Sequence, residues 1–205
     1  MSRIMALFLM VLQVLLGHFT IATAVPTNDM AIPMTADGGY PELILGPGMP
    51  TLASINLTTA DLYTMKPKGS PGHLDLLQVR ADAGVSSAAW GPSCGIYNLC
   101  PVWAVQVFIN YFYAFAPHVY CTASTRDYRG QLMVQNGYGE VMGINLSTDS
   151  DVVYSPCHNV ANALERIFAT CKLDPDFQRH PEGIYGAITA TGNGGLGLLM
   201  HGMDV

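Results

Sequence analysis

The sequence predicts an α+β domain in which two helices pack on an antiparallel sheet of about four or five strands, a disulfide-stapled two-layer sandwich. Three observations predict it. Residues 102–115 and 155–172 carry apolar side chains at helical spacing, short β-rich segments alternate with turn residues, and all five cysteines fall in the second half of the chain.

In chain order, the N-terminus carries one positive charge, Arg3, then an apolar run from Ile4 to Gly17, then the small-residue stretch Ala22-Thr23-Ala24. That order predicts a cleavable secretory signal over residues 1–24, and the apolar run is too short to span a membrane, which takes roughly 20 residues. The chain is therefore expected to be secreted, with no membrane insertion. Loss of Arg3 moves the formal charge from −6 to −7, which opposes binding to nucleic acid or anionic lipid.

Residues 25–72 hold seven prolines, no cysteine, and turn clusters such as Asp37-Gly38-Gly39 and Gly46-Pro47-Gly48. Proline removes backbone donors and blocks helix continuation, so a leader or flexible arm is expected here. The compact domain is expected over 73–205, opening with an edge strand at Leu74 to Arg80.

Val102 to Phe115 is apolar throughout except Gln106 and Asn110, a polar stripe four residues apart. Its length favours a helix starting after Pro101. The second helix has Ser155 as a cap, Pro156 in the first turn, and Val160, Leu164, Ile167, Phe168 and Cys171 on one face, with Lys172 complementing the C-terminal dipole. Strands are expected at His118 to Thr122, Gln131 to Gln135 and Glu140 to Leu146. Gly183 to Thr191 and Leu196 to His201 flank Gly192-Asn193-Gly194-Gly195 and read as a hairpin.

In an oxidising compartment, Cys94, Cys100, Cys121, Cys157 and Cys171 are expected to form two bridges and leave one thiol. The leftover cysteine is either buried or able to link two chains, and the chain is otherwise expected to be monomeric. Two tripeptides, Asn56-Leu57-Thr58 and Asn145-Leu146-Ser147, are acceptor sequons for N-glycosylation.

No catalytic set, metal set or cofactor motif emerges. His73, His118, His158, His180 and His201 have no ligand spacing such as HxxxH, Ser93 lies in no GxSxG elbow, and Glu140 and Asp149 are not paired by any local pattern. Pairs such as Cys94 with His158 or Cys100 with His118 are better read as bridge members than as nucleophile and base. Gly192 to Gly197 lacks the lysine of a phosphate-binding loop. Tyr185-Gly186-Ala187-Ile188-Thr189-Ala190-Thr191-Gly192 resembles the strand of fungal guanyl-specific ribonucleases, but Ala190 stands where their catalytic histidine would be.

The cysteine region carries a broader likeness. Cys94-x5-Cys100, a helix, a strand ending at Cys121, the stretch from Cys157-His158-Asn159 to Cys171, and a terminal Gly-rich hairpin resemble small secreted effector-like proteins of filamentous fungi. More distantly they resemble the virally encoded smut-fungus killer toxin, an α/β sandwich. The leader stretches Leu45 to Pro50 and Thr59 to Tyr63 also look like those of fungal secreted proteins. The toxin resemblance implies that Cys94 or Cys100 reaches Cys171 and that Cys121 reaches Cys157. That likeness carries architecture only; the expectation of virulence-type action on a host or competitor protein or glycan by binding, not catalysis, comes from the lack of any convergent titratable cluster in a stapled small domain. A channel-directed killer toxin and a degenerate secreted hydrolase or ribonuclease-like protein are the alternatives. Trp103, Phe108, Tyr111, Phe112, Tyr113 and Phe115 exceed what one helix face needs, so part of this set is expected either in the core or on an exposed contact patch.

Overall fold

The computed structural model describes residues 32, 34–65, 91–126, 129–172, 183–190 and 195–203. The signal at 1–24, the strand expected at 74–80 and the turn residues Gly192 to Gly194 lie outside them.

Helix α2 (Val102–Tyr113) begins after Pro101, whose fixed φ suits the helix entrance and whose missing N–H costs no bond there. Helix α3 (Cys157–Lys172) starts directly from the last strand residue before it, with its Cys157 amide donating to the Val119 carbonyl at 2.9 Å. Ser155, expected as a cap, is paired in that strand opposite Cys121. Val160, Leu164, Ile167 and Cys171 all point into the core.

Among the described residues the main sheet has six strands. They are β1 (Ile44–Leu45), β2 (Ser93–Pro101), β4 (Gln131–Gln135), β5 (Gly139–Asn145), β7 (Gly183–Thr189) and β8 (Leu196–Gly202). Their order is β1-β4-β5-β8-β7-β2, and every neighbouring pair is antiparallel. Strands β3 (Tyr120–Ala123) and β6 (Val153–Pro156) form a separate two-stranded ribbon. The α+β class holds, but the sheet is larger than expected. The missed strands are short or irregular: β1 has two residues, β6 ends in proline, and β2 breaks register between Gly95 and Cys100.

One face of the sheet is covered by α2 and α3. Ile184, Ile188, Leu198, Met200, Val141 and Met133 lie beneath them, each at most 1 % exposed. Gly186 allows the close approach of α3, because a Cβ there would overlap Cγ2 of Ile167.

Within the proline-rich stretch, the described residues 34–65 pack against the rest of the described domain. Leu43, Met49, Leu62 and Tyr63 are core residues. A third helix, α1 (Thr59–Thr64), is closed by a capping box in which the Asp61 amide donates to Thr58 Oγ1 and the Thr58 amide donates to Asp61 Oδ2. The Thr58 side chain and then its amide hold the Asp61 carboxyl below its ordinary range. The pattern Thr58-x-x-Asp61 was the sequence signal for this helix.

The segment covers α2. Asn110 Nδ2 donates to the Leu62 carbonyl at 2.8 Å and the Met65 carbonyl at 3.3 Å, and Gln106 Nε2 donates to Asn110 Oδ1 at 3.1 Å. Tyr111 donates to the Pro50 carbonyl at 2.8 Å and Tyr63 to the Pro41 carbonyl at 3.1 Å. Tyr40 stacks on Tyr63, with ring centroids 4.7 Å apart, and Tyr63 meets Trp103 at 5.9 Å. The aromatic surplus of α2 is thereby consumed as core. Phe108, Tyr111, Phe112, Tyr113 and Phe115 are buried and only Trp103 is partly accessible, so the helix offers no exposed aromatic patch.

Candidate functional site

Two disulfides staple α3 at both ends. Cys94–Cys171 joins edge strand β2 to its last turn, and Cys121–Cys157 joins ribbon strand β3 to its first residue. This pairing is one that the toxin resemblance implies. Cys100 is the leftover thiol. It is fully buried, and burial pushes its titration well above the ordinary thiol range, so it is not on the surface where a second chain could reach it.

The bridge at Cys121–Cys157 anchors the ribbon to the body. Along β3 and β6 the pleat alternates, turning Cys121, Ala123, Val153 and Ser155 inward and Tyr120 and Tyr154 outward. The two tyrosines sit diagonally, since Tyr120 pairs with Pro156 and Tyr154 with Thr122. Their rings meet edge to face with centroids 5.5 Å apart. Tyr120 is 51 % exposed and Tyr154 50 %, and Val152, at 49 %, lies two residues before Tyr154. Large apolar side chains held open on a strand pair are costly in water and suit contact with a partner.

Two polar clusters lie elsewhere. Tyr113 Oη is 2.6 Å from the Asn162 carboxamide and 2.7 Å from Glu165 Oε2, and its ring packs edge-on against His158 at 4.6 Å. Burial first, and the hydrogen bond to the Glu165 carboxylate second, push the Tyr113 phenol well above its ordinary range. His158 Nδ1 is buried with no hydrogen-bond partner. A phenol held protonated beside a carboxylate joins α2 to α3 and is a packing contact.

The second cluster is a cross-strand pair, Glu140 opposite His201, with Oε1 to Nε2 at 3.1 Å. His201 Nδ1 faces the Gly202 carbonyl at 2.9 Å. Both ring nitrogens thus face oxygen atoms, one on the neighbouring strand and one on its own.

The remaining sequence candidates do not converge. His118 is exposed in the turn before β3, and His73 and His180 lie outside the described residues. Ser93 opens edge strand β2. Glu140 lies near the start of β5, paired with His201, whereas Asp149 lies in the turn beyond the other end of the strand, where it accepts from Thr148 Oγ1 at 2.8 Å. Ala190 is buried and its amide donates to the Leu196 carbonyl at 2.9 Å. Among the described residues no group of three His, Cys, Asp or Glu side chains could hold a metal ion, and no helix is long and apolar enough to cross a membrane.

The strand expected at His118 to Thr122 is β3, but its partner β6 and the surface the two share were not read from the sequence. The available signal was alternation of polar-facing tyrosines around Cys121 and before Cys157, in two segments each only four residues long. The two sequon asparagines also separate: Asn56 is exposed, whereas Asn145 is 3 % exposed. The chain matches no protein-family model, no curated protein and no solved structure.

Proposed function

We propose that the protein acts outside the cell by binding, in the manner of effector-like secreted proteins, and that the Tyr120–Tyr154 ribbon is its contact surface. The observation that carries this reading is the pair of half-exposed tyrosines in edge-to-face contact on a ribbon that a disulfide anchors to α3. Tyrosine provides large contact area with few rotors to freeze, and anchoring the backbone beforehand lowers the ordering cost of association. The target is a protein or glycan on another cell's surface.

The test is retention of fluorescently labelled protein on intact plant and fungal cells, compared with Tyr120→Ala/Tyr154→Ala. Loss of retention with an unchanged melting temperature supports the reading. Equal retention of both proteins, or none by the wild type, overturns it.

A channel-directed killer toxin is the second reading, favoured by the Cys94–Cys171 and Cys121–Cys157 pairing. It requires growth inhibition by the purified protein that added calcium changes; no inhibition at any dose removes it.

A further inference from the structure

The two sequons sit in opposite environments, and we propose that Asn56 is the N-glycan acceptor of the folded protein while Asn145 is a structural lock that stays unmodified. The proposal rests on the secretory reading of residues 1–24.

Asn56 ends the 3-10 turn Leu52–Ile55 in the left-handed region, at φ 53°, and is exposed. Asparagine tolerates that conformation well, and the turn is held by the Asn56 backbone amide, which donates to Ala53 at 3.3 Å. Its side chain therefore stands at the surface on a fixed turn.

Asn145 ends β5 and closes the turn that follows. Its Nδ2 donates to the Ser150 carbonyl at 2.8 Å, and its Oδ1 accepts from the Ser147 amide at 2.9 Å. Ser147, the hydroxyl residue of the same sequon, accepts at Oγ from the amides of Asp149 and Ser150 at 3.2 Å and 3.1 Å. Both residues that define the sequon are thus consumed by the turn, and a sugar on Nδ2 has no room at a 3 % exposed position. A chain glycosylated there before folding could not close residues 145–150.

In the transfer, Asn56 Nδ2 attacks C1 of a polyprenyl-diphosphate-linked oligosaccharide. The N–C1 bond forms as the C1–O bond to diphosphate breaks, the amide loses one proton to a base, and polyprenyl diphosphate leaves.

The experiment is expression of the full chain in a eukaryotic host, with intact mass of the secreted, disulfide-bonded protein and peptide mapping after enzymatic deglycosylation in heavy-oxygen water. A parallel arm replaces residues 1–24 by a known cleavable export signal, so that failure of the native signal is seen separately, as material retained only in the first arm. The expected result is one glycan, an isotope-marked Asp at position 56, and unmodified Asn145. Asn56→Asp, which keeps a residue tolerant of left-handed φ, should be secreted without glycan. Asn145→Gln should keep the glycan mass and lower the melting temperature. A glycan on Asn145 of the native secreted protein, or none on Asn56 in the parallel arm, overturns the proposal.

Discussion

Asn110, in the middle of α2, donates from Nδ2 to the carbonyl of Leu62, 2.8 Å away and 48 residues earlier in the chain. This bond caps the C-terminal end of α1 from outside and fastens the proline-rich segment to the helix it covers. The polar stripe of an otherwise apolar helix is thereby the attachment point for its cover.

Asn110→Ala should leave the Leu62 and Met65 carbonyls facing α2 without their donor. Losing a buried partner costs about 1–3 kcal/mol, so the urea midpoint should fall with an unchanged slope. An unchanged midpoint would show that the segment is held by its apolar contacts alone.

The two disulfides close separations of 77 and 36 residues, which the chain-entropy relation values at about 4.5 and about 3.8 kcal/mol. Together these are comparable with the whole stability of an ordinary domain, about 5–15 kcal/mol. Cys94→Ala/Cys171→Ala and Cys121→Ala/Cys157→Ala should each lower stability severely, and reduction of both bridges should unfold the chain at ambient temperature. Near-ultraviolet circular dichroism with and without reductant checks this; a native spectrum under full reduction would refute it.

Gly186→Ala should push α3 away from β7, because the added methyl meets Ile167. The expected loss is about 1–3 kcal/mol, as for other overpacked cores, read as a lower thermal midpoint. A neutral result would mean that α3 rides less closely on the sheet.

Alkaline pH should unfold the protein before its buried groups ionise. Burial raises Cys100 from an ordinary 9.0, and raises Tyr63 from 10.0 to about 12, with Tyr111 and Tyr113 shifted in the same direction. In each case the native state keeps its proton where the unfolded state has lost it, so the unfolded chain binds fewer protons and stability falls as pH rises from about 9 upward. Phenol absorbance should therefore rise in a step that coincides with loss of structure, and Cys100 should resist alkylation until that step. Alkylation of Cys100 at pH 8 in the native protein would contradict its burial.

Local pattern determined much of the scaffold. The apolar spacing of Val160 to Cys171 and the length of the 102–115 run specified α3 and α2, and the Gln131 to Gln135 and Glu140 stretches specified β4 and β5, because burial of one helical stripe or one sheet face imprints a period on the chain. The odd cysteine count already required one unpaired thiol.

What only the tertiary structure decided are the features without a period. Which cysteine stays unpaired depends on Cys100 lying buried in β2 close to Gly139 of β5 while Cys94 meets Cys171 across 77 residues. Prolines between 41 and 50 signalled irregular backbone, yet irregular backbone can still be core when Tyr111 and Asn110 supply its hydrogen bonds, a pairing no local window contains. The same holds for the surface. Tyr120 and Tyr154 become one patch only when β3 and β6 pair, and Asn56 and Asn145, both sequon asparagines followed by leucine, differ in exposure because one ends an open turn and the other is enclosed by it. Long-range contact sets exposure, and exposure decides what these residues can do.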